Sequence, residues 1–124
     1  PLPPPPTNLK LQEDPMAYLD TGLKLEELAL GENRCVDFGE VRVALFRRQE
    51  GLFALNNFCP HRGAPLYEGF VSDGQVTCPW HQWQFQLDDG VCRNIPKVRT
   101  SVYPVEVRDG TIWINLEDQG AKKS

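Results

Sequence analysis

The clearest alternation in the chain runs through "VRVALFRR" (41–48), where Val41, Val43 and Leu45 fall on one side and Arg42, Ala44 and Phe46 on the other. A period of two marks an extended strand, and an apolar set facing a set that contains arginine predicts a half-buried one. "FGEV" (38–41) offers a tight turn into this strand, and "QEG" (49–51) a turn out of it into "LFALNN" (52–57). Near the end, "SVYPVEV" and "TIWINLE" flank "RDG", in which Asp109-Gly110 is a strong hairpin signal. Ile112, Ile114 and Leu116 share one face of the last strand. Only "KLEELALGE" (24–32) has room for a helical turn, with Gly31 to stop it. The middle third, 58–97, is rich in loops, with "SDG" marking a short hairpin inside it. The pattern predicts an all-β domain of antiparallel sheets whose function sits on loops mounted on a rigid scaffold.

Length and charge narrow the field. A chain of 124 residues fits one domain with a modest core. Six of the eleven prolines lie in residues 1–15, which are expected to form a flexible, extended lead-in; the folded domain is expected over 16–118, starting at Met16, with a flexible tail at 119–124. The net charge is −4 and the few arginines are dispersed, which argues against a nucleic-acid partner. No apolar run approaches the ~20 residues needed to cross a bilayer, and no leader pattern is visible. A soluble, cytoplasmic protein is the expectation. Two disulfides from four cysteines would suit a small secreted scaffold better than this chain.

Both histidines of the chain lie within three residues of a cysteine, in the pattern Cys59-x-His61, sixteen residues, Cys78-x-x-His81. Thiolate and imidazole are transition-metal ligands, and the short spacings let each pair project from a single turn. The connector contains the "SDG" hairpin, which brings the second turn back beside the first. On the residues alone three readings stand: chance adjacency of buried thiols and hydrogen-bonded histidines, a tetrahedral structural zinc site, or a two-iron cluster with two cysteines on one iron and two histidines on the other.

The wording around the ligands goes further. "CPHRGAPLYEG" and "CPWHQWQFQLDDG" resemble the two cluster-binding loops of the Rieske [2Fe–2S] family, as in soluble Rieske ferredoxins and the small subunit of NAD(P)H-dependent nitrite reductase. The resemblance runs from about residue 35 to 117, taking in "VALFRRQEGLFALNNFCPHRGAPL" and "VEVRDGTIWINL". It implies stacked antiparallel sheets with a cluster-binding subdomain over about 58–97. It also implies one [2Fe–2S] cluster, with Cys59 and Cys78 on the buried iron and His61 and His81 on the outer one through Nδ1. "NIPK" (94–97) resembles the proline-containing loop that covers the cluster, and Trp80 and Trp83 would shield it. Gln82 departs from the glycine commoner at its place, while Gly63 and Gly69 mark positions needing positive φ or a close backbone approach. Cys35 and Cys92 lie outside both loops and read as inert thiols.

Such ligation has a chemical consequence. Two ferric ions, two sulfides, two thiolates and two neutral imidazoles sum to zero charge, so the cluster accepts an electron more easily than an all-thiolate one. High-potential members of the family carry two bridging cysteines and a Ser and a Tyr that donate to the sulfurs. Here Ala64 and Trp80 stand at the bridging positions and Trp83 and Phe85 at the hydroxyl positions, which implies a potential at the low end of the class. No phosphate cradle, nucleophile–base pair or spare histidine is present, so the chain reads as an electron carrier or relay subunit without a catalytic site of its own. The implied partners are a flavin reductase and an oxygenase, or the large subunit of a nitrite reductase, docking at a tip formed by His61, His81, Arg62 and Lys97.

Overall fold

The computed structural model describes residues 18–60, 63–80 and 82–117. The proline-rich lead-in, Met16 and the tail from 118 lie outside the described residues, as do His61, Arg62 and His81. Three antiparallel sheets account for the strands. The first joins β1 (Tyr18–Lys24), β10 (Thr111–Asn115) and β9 (Val105–Arg108) in that order. The second joins β2 (Asn33–Asp37), β3 (Arg42–Arg48), β4 (Gly51–Asn56) and β8 (Val102–Tyr103). The third, smaller sheet joins β5 (Phe70–Ser72), β6 (Gln75–Thr77) and β7 (Gln84–Gln86).

The hairpin signals are met in detail. Asp109 and Gly110 take φ of 50° and 79° between the paired Arg108 and Thr111, which is the double left-handed turn that suits the twist of two strands. Asp73 and Gly74, at 53° and 76°, do the same between Ser72 and Gln75. The helical turn expected over 24–32 shrinks to one 3-10 turn, Leu25–Glu27. It ends well before Gly31, because the next residue, Leu28, leaves the helical path at φ −112° and is fully buried in the core.

The half-buried reading of β3 does not hold. Val43, Ala44, Leu45 and Phe46 are all fully buried. Alternation here separates two cores, not core from water. Val43 and Leu45 join Leu28, Tyr103, Ile112 and Ile114 against the first sheet. Ala44 and Phe46, with Leu55 from β4, join Val76, Phe85 and both loop cysteines against the third. The four-stranded sheet is thus the middle layer, covered on both faces, and Arg42, at the start of β3, reaches solvent as expected. Ile112 and Ile114 are buried on the face predicted for them, with Leu116 packed alongside.

Candidate metal centre

β4 runs into the first Cys-Pro turn and β6 into the second. The Cys59 N–H donates to the Ala64 carbonyl at 2.9 Å, and the Gly63 N–H donates back to the Cys59 carbonyl at 2.7 Å. In the second turn the Cys78 N–H donates to the Trp83 carbonyl at 2.7 Å, and the Gln82 N–H to the Cys78 carbonyl at 3.1 Å. Gly63 and Gln82 both take left-handed φ, 75° and 62°. Cys59, Gly63 and Ala64 therefore correspond one to one, at a constant offset, with Cys78, Gln82 and Trp83 in bonding and backbone path. The backbone path at Gln82 is the glycine path despite its side chain.

The structure brings Cys59 and Cys78 together in a single core. Each is 1% exposed and packs with Ala64, Leu66, Phe85 and Leu87. Two soft sulfur ligands held away from water on matched turns suit the buried half of a two-iron cluster. His61 and His81, the sequence-assigned nitrogen ligands, lie outside the described residues.

The surroundings divide the two tryptophans. Trp83 is half-buried against this core, its ring centroid 6.4 Å from that of Phe85, whereas Trp80 is 64% exposed and fills no core space. Ala64 is fully buried and brings no sulfur to its bridging position, and neither Trp83 nor Phe85 brings a hydroxyl. In the loop that contains "NIPK", Ile95 and the following Val98 pack against the same core while Pro96 and Lys97 face outward. Cys92 is fully buried in this core and Cys35 half-buried on β2; both are thiols without a disulfide. Burial pushes the Cys35 thiol above its ordinary pKa, with the Arg42 charge opposing.

Polar anchors around the turns escaped the sequence reading. The Asn33 side-chain amide donates to the carbonyls of Tyr67 and Gly69 at 3.0 and 3.2 Å, pinning the 3-10 turn Leu66–Glu68 that follows the first cysteine turn. Arg48 donates in turn to the Asn33 oxygen at 2.6 Å. Asn57 and Asn94 accept backbone N–H groups beside the two turns. The available signal was asparagine at three places flanking apolar strands, where a polar side chain requires a partner.

Comparison with known proteins agrees with this geometry. The profile of the Rieske [2Fe-2S] domain matches residues 22–108. The ferredoxin component of the alkene monooxygenase system of Xanthobacter autotrophicus is 31% identical over 107 residues, which cover 86% of this chain and 87% of that protein. Cholesterol 7-desaturase nvd of Drosophila melanogaster is 40% identical over 103 residues, covering 79% of this chain but only 23% of the desaturase. The chain likewise spans 22% of a 4beta-methylsterol monooxygenase from Methylococcus capsulatus. Among solved structures, a proposed NADH-dependent nitrite reductase small subunit from Mycobacterium tuberculosis superposes with a TM-score of 0.72 at 31% identity, over 78% of this chain and 92% of that one. The chain belongs to the Rieske [2Fe–2S] family, with one cluster of that type and a role in electron transfer.

Proposed function

We propose that the protein is a low-potential, ferredoxin-like one-electron carrier whose cluster is held by Cys59 and Cys78 on one iron and by His61 and His81 on the other. The observation that carries this reading is the pair of matched turns, each presenting one buried cysteine to a common core. When bound, the cluster would supply a single reversible one-electron acceptor. This chain's own residues supply the rest. The apolar side chains of Leu66, Phe85 and Leu87 keep water from the sulfur side. Pro60, Pro79, Trp80 and Lys97 are exposed around the turns, a surface on which a partner could dock. The tip that also includes His61, Arg62 and His81 remains part of this proposal.

The partners we favour are a flavin reductase as donor and an oxygenase as acceptor, in line with the near-complete match to a monooxygenase ferredoxin component. A second reading, the small subunit of an NAD(P)H-dependent nitrite reductase docking on a large subunit, is favoured by the 31% identity to the mycobacterial structure. We place the protein in the cytoplasm, with the folded domain over 16–118. No described helix is long and apolar enough to cross a membrane.

Iron and sulfide analysis with EPR of the reduced protein tests the ligand assignment. Two irons and two sulfides per chain with a histidine-ligated signal are expected, lost on His61→Ala or His81→Ala. A colourless protein with one zinc per chain would mean structural zinc. Association with a large flavin-containing reductase, against reduction of an oxygenase in a mixed assay, separates the two partner readings.

A further inference from the structure

Two asparagine carboxamides each accept a backbone N–H from the segment that leaves one of the two cysteine turns. Asn57 is 3% exposed and lies two residues before Cys59. Its carbonyl accepts the Leu66 N–H at 2.6 Å and its Oδ1 accepts the Tyr67 N–H at 3.0 Å, so it closes the first turn at its base. Its own N–H donates to the Arg42 carbonyl at 2.8 Å, which ties that base to the middle sheet. Asn94 belongs to the third loop. Its Oδ1 accepts the Gln84 N–H at 2.8 Å, on the residue directly after Trp83, whose carbonyl closes the second turn. The Arg93 N–H donates to the Gln84 carbonyl at 2.7 Å, so residues 93–94 hold both polar groups of one peptide position on β7.

We propose that Asn57 and Asn94 are positioning residues for the cluster: each side-chain oxygen fixes the segment leaving one cysteine turn, the 3-10 turn at Tyr67 for Asn57 and β7 at Gln84 for Asn94, and together they help set the spacing at which the two sulfurs are presented. This rests on the cluster reading above. The physical argument is one of rigidity. Cys59 and Cys78 come from turns on different strands, so the span between their sulfurs is only as well defined as the exits of those turns. Main-chain bonds within each turn fix its shape but not where it stands relative to the other. Bonds from outside the turn, from the middle sheet through Asn57 and from the third loop through Asn94, do the latter. Outer partners of this kind influence how firmly a metal group is held.

The test uses the holoprotein and four variants: Asn94→Ala, Asn94→Asp, Asn57→Ala and, as a distant control, Asn115→Ala. Asn115 likewise accepts a backbone N–H, that of Glu117 at 2.9 Å, but at the opposite sheet. Three signals are followed: bleaching of the visible absorbance by an iron chelator, the g-values of the reduced protein, and hydrogen exchange at the Gln84 amide in metal-free protein. Asn94→Ala is expected to bleach roughly tenfold faster, with altered g-values and faster Gln84 exchange. Asn94→Asp keeps the acceptor oxygen and is expected to restore all three, while Asn115→Ala leaves bleaching and g-values unchanged. Asn57 is buried, and its alanine variant is expected to lose cluster faster still or fail to fold; Asn94, on the surface, keeps the test decisive either way. Parent-like bleaching and g-values in Asn94→Ala, or equal acceleration in Asn94→Ala and Asn115→Ala, overturn the proposal. Failure of the parent protein to take up iron and sulfide at all overturns the cluster reading itself, and is seen before any variant is made.

Discussion

The backbone of Gly69 lies against that of Thr77 so closely that a methyl group on its Cα would stand 2.3 Å from the Thr77 carbonyl oxygen and 2.8 Å from Val76 Cγ2. Gly69 ends the 3-10 turn after the first cysteine turn, and Thr77 precedes Cys78, so this close approach limits, alongside the asparagine bonds, how near the two turns come. The glycine is needed for space, since its φ of −77° is open to any residue. Gly69→Ala is expected to destabilise the fold by about 3 kcal/mol through overpacking. Urea denaturation reads that loss, and chelator bleaching should show the cluster bound less firmly.

Gln82 predicts the opposite sign. It holds φ of 62° in the second turn, where the first has Gly63, and its side chain is exposed. Left-handed backbone costs a non-glycine residue roughly 1 kcal/mol. Gln82→Gly should therefore raise stability by up to about 1 kcal/mol, less what the added freedom of the unfolded chain removes. A thermal or urea midpoint below that of the parent would refute the strain argument.

Leu45 and Phe46 are adjacent on β3 but belong to different cores. Alanine at either site should cost about 3 to 5 kcal/mol. The spectroscopic outcomes should differ: Phe46→Ala opens a cavity in the core that holds both cysteines and is expected to perturb the reduced EPR signal. Leu45→Ala opens one beneath the first sheet and should leave that signal unchanged. Equal perturbation by both would contradict the division of cores.

By the family resemblance, Phe85 and Trp83 stand at the positions of hydroxyl donors to cluster sulfur, and Ala64 and Trp80 at those of the bridging cysteines. With those donors and that bridge absent, the reduced cluster is less stabilised, and the midpoint is expected near the lower limit of the roughly −150 to +300 mV range of histidine-ligated clusters. A redox titration giving a midpoint above about +100 mV on that scale would count against this account.

Cys35 carries the clearest pH dependence outside the metal centre. Its pKa is raised, chiefly by burial, so the folded state favours the neutral thiol. Stability from this group is present below the ordinary thiol pKa and falls as pH climbs through the alkaline range. Iodoacetamide should modify Cys35 several-fold more slowly in the native protein than in urea at pH 8.5, as mapped by mass spectrometry. Equal rates would show that burial does not protect it.

How far the sequence reached depended on whether a signal was local. The turns at Asp73-Gly74 and Asp109-Gly110 were legible because left-handed φ on two successive residues is a property of those residues. The paired cysteines were legible because ligand spacing within a turn is equally local. The burial of Ala44 and Phe46 was not: period two says that side chains alternate, and only tertiary packing decides what covers each side. Gln82 was opaque for a related reason. Its propensity argues against left-handed φ, and the bond from its N–H to the Cys78 carbonyl prevails. The anchoring by Asn33 spans 34 and 36 residues to Tyr67 and Gly69, beyond any local pattern.

The shared wall formed by β3 and β4 makes the two halves of the molecule unequal in self-sufficiency. A peptide cut to residues 58–97 would lack Ala44, Phe46 and Leu55, and with them the floor on which its cysteines rest. The remainder of the chain keeps a complete apolar interior of its own between the first two layers. A descendant that lost its metal donors could thus persist as a folded protein, whereas the metal-binding half has no route to independence: in this architecture the scaffold can outlive the chemistry, but not the reverse.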